Sequence, residues 1–228
     1  MNQNELKKSA ANKAVEFVES GMVLGLGTGS TTNFAVERIG ELLNVGKLIN
    51  IVGIPTSIRT AELAESLGIK LVTLDSHPKI DLTIDGADEV DDDLNLIKGG
   101  GGALFREKIV AEASERVVII IDESKLSTKL GVKWAVPVEV VPFAVKPVEK
   151  YIFDMGADIR LRKNEDDSLY VTDNGNNILD CNFGPIDDPD EISNLLNQKA
   201  GIVEHGLFIN IATDIIIADE NGIGHLKR

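Results

Sequence analysis

The chain has 228 residues, 43% of them hydrophobic, enough to bury a substantial core without covalent staples. A formal net charge of −14, with no dense block of Lys and Arg, excludes a general nucleic-acid binder, because a phosphate backbone demands a basic surface. A single cysteine, Cys181, excludes an internal disulfide and a Cys-rich zinc site, and the longest strongly apolar run, Val117 to Ile121, cannot span a bilayer, so a cytoplasmic protein is expected.

Short β-branched runs alternate with amphipathic runs over roughly the first 130 residues, the pattern of a mostly parallel sheet flanked by helices. Helices are expected over Glu5 to Glu19, Thr31 to Leu43, Ile58 to Ser66 and Ala103 to Ser114. Strands are expected at Met22 to Leu26, Ile49 to Ile54, Lys70 to Leu74, Leu82 to Ile84 and Val117 to Ile121. Beyond Trp134 the predicted order is strand Val138 to Val141, helix Lys146 to Met155, strand Asp158 to Leu161, strands around Leu169 to Val171 and Asn177 to Leu179, helix Asp190 to Gln198, and strand Ile202 to Phe208. A β-α-β-β-α-β order of this kind suggests a small α+β domain of ferredoxin-like type. Asp214 to Ala218 and Ile223 to Leu226, joined by a turn at Glu220 to Gly222, read as a hairpin that rejoins the first sheet. The fold class is therefore α/β, an open, mostly parallel, Rossmann-like sheet over residues 1–132 and 208–228, with the smaller α+β domain over 133–207.

Between the first strand and its helix lies a run from Gly25 to Thr32 containing Gly27, Thr28, Gly29, Ser30 and Thr31. Backbone N–H groups converging at such a turn, with a helix N-terminus and several hydroxyls, suit an anion such as a terminal phosphate. No Gly-Lys-Ser/Thr follows, so it is not a nucleotide P-loop, and it departs from the dinucleotide pattern. A plain strand-to-helix turn with Ser30 as N-cap fits the same residues.

The fourth strand runs into Asp85, Gly86, Ala87, Asp88 and Glu89, which puts carboxylates at the carboxyl edge of a parallel sheet, where open α/β folds bind ligands. Asp91, Asp92 and Asp93 read as a solvated turn, and the spacing is not that of a calcium-binding EF-hand. Lys98 then precedes four glycines, Gly99 to Gly102, entering a helix. Adjacent glycines cost chain entropy, and close approach of a ligand to the backbone is a reason to keep them. Within that helix Glu107 has Ala103 and Leu104 a turn before it and Val110 and Ala111 a turn after, an apolar strip on which desolvation would raise its pKa and strengthen it as a base. An ordinary ion pair inside a core fits Glu107 as well, since Arg106 has similar neighbours. His77, His205 and His225 show no ligand spacing, and Arg160 and Arg162 alternate with apolar residues on a strand without an assigned role.

Taken together and in this order, Gly27 to Thr31, Asp85 to Glu89, Lys98 to Gly101 and Arg106 to Lys108 resemble ribose-5-phosphate isomerase of the A type. The resemblance extends through Asp122 to Lys125, Pro137 to Pro142, Val171 to Asn176 and Gly206 to Phe208. It departs at Gly102, where the family often has Ala, and at Glu123. The resemblance implies interconversion of ribose 5-phosphate and ribulose 5-phosphate through an enediolate, a pentose phosphate pathway step, without metal or organic cofactor. It implies that Glu107 is the base and that Asp85, Asp88 and Lys98 handle hydroxyl protons and ring opening, with Gly99, Gly100 and Gly101 supplying amides to the oxyanion. Thr28, Gly29, Ser30 and Thr31 would hold the phosphate with Lys125 and Lys7, and Gly86 and Ala87 would line the substrate. It also implies a homo-oligomer, a dimer or a dimer of dimers, with neither nucleic acid nor membrane as partner. A sugar-phosphate sensor would need a DNA-binding segment, and a nucleotide oxidoreductase would need an acidic residue after the second strand, where Pro55, Thr56 and Ser57 stand.

Overall fold

The computed structural model describes residues 2–228. In chain order the elements are α1 (Gln3–Val15), β1 (Val23–Leu26), α2 (Ser30–Asn44), β2 (Val52–Pro55), α3 (Ile58–Ser66), β3 (Lys70–Leu71), β4 (Leu82–Asp85), β5 (Glu89–Val90), β6 (Leu96–Ile97), α4 (Leu104–Glu112) and β7 (Val117–Asp122). They continue with β8 (Val136–Val140), α5 (Val145–Asp154), β9 (Asp158–Leu161), β10 (Asn177–Asn182), α6 (Pro189–Asn197), β11 (Ile202–His205), β12 (Leu207–Phe208), β13 (Asp214–Asp219) and β14 (Gly222–Lys227). Two compact units result, one of residues 1–87, 106–125 and 210–228, the other of residues 88–105 and 126–209.

The first unit holds a seven-stranded sheet in the order β14-β13-β7-β4-β1-β2-β3. All neighbours are parallel except β13 and β14, whose hairpin returns to this sheet as its sequence predicts. Every residue of β7 is buried, and its first five, Val117 to Ile121, accordingly form an unbroken apolar run rather than an alternating one. Side chains from α1, α2 and the central strands, among them Ala10, Ala14, Val36, Ile39, Leu24 and Ile120, make the main core. Helix starts are chemically marked: Asn2 and Glu5 form a reciprocal capping box on α1, and the Ser57 side chain accepts from Thr60 N at the head of α3.

The second unit is built on the antiparallel sheet β11-β8-β10-β9 with α5 and α6 packed on it. Numbering these strands by their order in the unit gives 4-1-3-2, the ferredoxin-like arrangement expected from the β-α-β-β-α-β reading. Its core includes Val138, Val140, Val148, Ile152, Leu179 and Leu196. A three-stranded sheet, β12-β6-β5, completes the unit.

Three expectations are corrected. The boundary read from the sequence puts residues 88–105, 126–132 and 208–209 in the first domain, but β6 pairs with β5 on one side and with β12 on the other, and Val90 bridges to Leu126, so these segments belong to the second compact unit. Leu169 to Val171 form no strand. Leu169 makes one isolated bridge to Lys163, and both Leu169 and Val171 are exposed. The run Ile202 to Phe208 is broken at Gly206, whose N–H donates to the Pro137 carbonyl at 2.7 Å while its own carbonyl accepts from Lys98 N at 2.9 Å. The chain thereby leaves one sheet for the other, and a Cβ at Gly206 would lie 2.2 Å from the Lys98 carbonyl oxygen.

Candidate active site

In the first unit the strand order reverses between β1 and β4: the sheet grows from β1 through β2 to β3 on one side and from β4 through β7 to β13 on the other. Such a switch point leaves a crevice at the carboxyl ends of the strands. Thr28 follows β1 and Asp85 ends β4, and the Thr28 N–H donates to Asp85 Oδ1 at 3.2 Å. Asp85 Oδ1 also accepts from Gly86 N at 2.7 Å, and Asp85 is 2% exposed. The approach is close enough to require glycine at the neighbouring position, since a Cβ on Gly27 would sit 2.7 Å from the Asp85 Cα.

The hydroxyl of Thr28 faces a cluster of hydroxyls, 2.7 Å from Thr56 Oγ1, 2.8 Å from Ser57 Oγ and 3.1 Å from Thr60 Oγ1. Thr56 and Thr60 in turn donate to the carbonyls of Leu26 and Gly27. The cluster ties the turn to the start of α3 and fixes the direction of its backbone amides. Thr56, Ser57 and Thr60 carried no distinguishing motif in the sequence, and only their place after the neighbouring strand β2 connects them with the turn.

The helix cap differs from the simplest reading. Gly29, with φ 141°, is the N-cap of α2, and Ser30 is its first helical residue, without a capping side-chain bond. The hydroxyl of Thr32 turns back to the Gly29 carbonyl at 2.9 Å. At a helix start the first-turn N–H groups have no acceptor within the helix, and their combined dipole favours an anion. Lys7, from α1, brings its ammonium to that end and donates to Ser30 Oγ at 3.0 Å. Lys125 closes the short 3-10 turn Glu123–Lys125 after β7, on the same carboxyl edge of the sheet as Thr28 and Asp85.

In the second unit the Gly100 N–H donates to Asp88 Oδ2 at 2.7 Å, and the Asp88 N–H donates to the Ile97 carbonyl at 2.8 Å. A Cβ on Gly100 would lie 2.6 Å from Asp88 Oδ1, so this contact also depends on glycine. Lys98, 3% exposed, carries its ammonium 5.5 Å from the centre of the Phe208 ring, within cation–π range. Gly101 is exposed, and its carbonyl accepts from the Tyr170 hydroxyl at 3.1 Å. The acidic run is less uniform than its composition suggests. Asp91 is buried and accepts from the N–H groups of Asp93 and Asn95, closing the β5–β6 turn, while Asp92 and Asp93 face solvent. Burial raises the Asp91 pKa, against the lowering effect of those bonds.

Glu107 lies in the first turn of α4 and is 4% exposed. Leu104 and Val110, a turn to either side, are buried too, so the apolar strip expected from the helical spacing exists. Glu107 is thus a buried carboxylate on an apolar strip, in the first turn of a helix, where the dipole favours negative charge. Among the described residues no group of three or more His, Cys, Asp or Glu side chains is arranged to hold a metal ion. Also among them, no helix is long and apolar enough to cross a membrane.

The sequence profile of ribose 5-phosphate isomerase A (phosphoriboisomerase A) matches residues 52–222. A ribose-5-phosphate isomerase A of Desulfatibacillum aliphaticivorans is 55% identical over 225 residues, covering 99% of this chain and 98% of that one. The solved ribose 5-phosphate isomerase of Plasmodium falciparum superposes with a TM-score of 0.96 at 44% identity, over 99% of both chains. A further solved D-ribose-5-phosphate isomerase, in complex with phospho-erythronic acid, superposes with a TM-score of 0.98 at 42% identity over the full length of both.

Proposed function

The chain belongs to the ribose 5-phosphate isomerase A family and isomerises ribose 5-phosphate, and we propose that Glu107 is the base that moves the proton between C2 and C1. The supporting observation is a carboxylate 4% exposed on an apolar helical strip, at a position that matches the family's motif. In the forward direction Glu107 removes the C2 proton of the open-chain aldose, the negative charge spreads over O1 and O2 as an enediolate, and the same carboxyl returns the proton to C1. A proton leaves the C2 hydroxyl and one arrives at O1, which gives the ketose with atoms and charge in balance.

Asp85, Asp88 and Lys98 are assigned to the hydroxyl protons and to opening of the furanose ring. The Lys98 ammonium and the amides of Gly99, Gly100 and Gly101 stabilise the developing oxyanion. The turn from Thr28 to Thr31, with Lys7 and Lys125, takes the phosphate. Within it Thr28 holds the turn in shape through its hydroxyl cluster, while the first-turn amides of α2 and the Lys7 ammonium supply the charge complement. Gly86 and Ala87 line the sugar. Binding the phosphate away from the reacting carbons makes the proton transfer effectively intramolecular. Phospho-erythronic acid, the ligand of one solved relative, fits this reading as a shorter acid whose carboxylate resembles the planar enediolate. A cytoplasmic location and assembly as a homodimer or dimer of dimers belong to the same proposal.

The test is conversion of ribose 5-phosphate in heavy water by Glu107→Gln. Turnover and deuterium incorporation at carbon are expected to fall by at least about 10³-fold, with phosphosugar binding largely retained. Near wild-type turnover would require another base.

A further inference from the structure

Arg162 is the residue after β9, and its guanidinium is gripped from one side by a carboxylate and grips the glycine run on the other. Nε donates to Asp180 Oδ2 at 3.0 Å and Nη2 donates to Asp180 Oδ1, a bidentate pair. From the same guanidinium Nη1 donates to two successive carbonyls, Gly99 O at 2.9 Å and Gly100 O at 3.1 Å. The Arg162 side chain is 14% exposed.

Each of these carbonyls shares a peptide plane with the N–H of the next residue. A trans peptide points its C=O and N–H in opposite directions. With the Gly99 and Gly100 oxygens turned to the guanidinium, the N–H groups of Gly100 and Gly101 must point away from it. The first of them meets Asp88 Oδ2 at 2.7 Å. A cation on the carbonyl also withdraws electron density from the amide, which makes the N–H a stronger donor. Glycine has no side chain to hold such a segment, and Gly99 with φ 97° lies where an L side chain is strained; the Gly102 N–H closes a turn onto the Gly99 carbonyl at 2.9 Å, and the guanidinium adds a clamp from outside the run that also takes the Gly100 carbonyl. The Tyr170 hydroxyl on the Gly101 carbonyl acts on the next plane in the same way.

We propose that Arg162, oriented by Asp180, is a positioning residue of the isomerase: by holding the Gly99 and Gly100 carbonyls it sets and polarises the Gly100 and Gly101 amides, and through Gly100 it fixes the Asp88 carboxylate. The inference rests on the reading of the glycine run and Asp88 as parts of the catalytic site. Arg162 does not touch the reacting atoms, so it governs the transition state and leaves phosphate binding alone. Lysine keeps the charge but cannot reproduce a fork that serves a carboxylate and two carbonyls at once.

The experiment compares wild type, Arg162→Lys, Asp180→Asn and Asp88→Asn for kcat, KM, melting temperature and competitive inhibition by phospho-erythronic acid and by inorganic phosphate. Arg162→Lys is expected to lose about 10- to 100-fold in kcat with KM changed less than about threefold. Inhibition by phospho-erythronic acid should weaken by a similar factor and inhibition by inorganic phosphate should not change. Asp180→Asn should show the same pattern in smaller measure. A residue that only stabilises the fold would lower the melting temperature without separating kcat from KM or one inhibitor from the other. Wild-type kcat in a folded Arg162→Lys, with Asp88→Asn inactive, overturns the role of Arg162 alone. Wild-type kcat in Asp88→Asn overturns the underlying reading of the site. Should Arg162→Lys not fold, Asp180→Asn decides, because it leaves the guanidinium in place and loosens only its anchor; an unchanged kcat there overturns the proposal.

Discussion

Replacing Gly27 by alanine tests whether the contact between β1 and β4 sets the position of Asp85. The added Cβ would stand 2.2 Å from Asp85 Oδ1, 2.4 Å from its Cγ and 2.7 Å from its Cα. The carboxylate can rotate aside, but the Cα cannot, and carbon atoms pack comfortably at about 3.5–4.0 Å. The two strands must therefore part locally by roughly 1 Å, and overpacking of that kind costs about 1–3 kcal/mol. At about 2–4 °C per kcal/mol for a chain of this length, the melting temperature should fall by roughly 2–12 °C. The Thr28 N–H to Asp85 bond, 3.2 Å at present, is lost in the same movement, and under the role proposed for Asp85 a misplacement by about 1 Å costs on the order of 10²-fold in kcat. Thermal unfolding and isomerase kinetics on Gly27→Ala, beside Gly224→Ala as control, measure both effects. At Gly224 the nearest atom to a new Cβ is 3.8 Å away, so the control should melt and turn over like wild type. A Gly27→Ala protein that melts within about 1 °C of wild type and keeps its kcat within about twofold would refute the steric argument.

Removing the Lys7 ammonium as Lys7→Ala should raise KM for ribose 5-phosphate several-fold with kcat nearly unchanged, and an unaltered KM would remove Lys7 from the phosphate site. Burial alone would raise Asp214, but bonds from Arg116, Thr213 and His225, with the Arg116 charge, hold it well below the usual carboxylate range. A depressed folded pKa stabilises above the unfolded value of about 3.9 and loses that contribution as pH falls toward the folded value. Stability measured by denaturant should therefore decline with acid more steeply below about pH 4 in wild type than in Asp214→Asn, and equal slopes would contradict this. Burial, with the Asp180 carboxylate adding to it, pushes the Cys181 thiol far up, so a thiol reagent at pH 8 should label Cys181 only after unfolding. Rapid labelling of the native protein would show that the β10 core opens.

Legibility from sequence followed the range of the interaction. The turn from Gly25 to Thr32, the Asp85 loop and the glycine run are local, so their residue types stand out directly in the sequence, and the ligand roles assigned to them belong to the proposal above. Helix α3 was delimited correctly because Ser57 caps one end and Gly68 follows the other. Strands β5 and β6 have two residues each, too short for any periodicity, and they carried the acidic loop into the second unit unseen. Arg162 lies 62 and 63 residues from the carbonyls it holds, and nothing in an arginine alternating with apolar neighbours reports on a partner so distant. The hydroxyl cluster of Thr28, Thr56, Ser57 and Thr60 was hidden for the same reason, since it needs β1 and β2 side by side. The Asp91 carboxylate, read as part of a solvated run, is buried because the turn it closes needs an acceptor for two N–H groups.

Strand β13 pairs with β7 along five residues, from Asp214 against Val118 to Ala218 against Asp122. Nearly 100 residues of chain separate these partners, all of the second unit's main sheet among them. During synthesis at about 5–20 residues per second, the bare flank of β7 must wait some 5–20 s for its neighbour. For that interval a strand with five consecutive apolar residues, Val117 to Ile121, presents an unpaired edge, the kind of surface that recruits strands from other nascent chains. The second unit, whose segments are complete by residue 209, can close before the first. Nascent chains of this enzyme should therefore be most aggregation-prone after β7 emerges and before β13 does, a window set by the order of strands in one sheet.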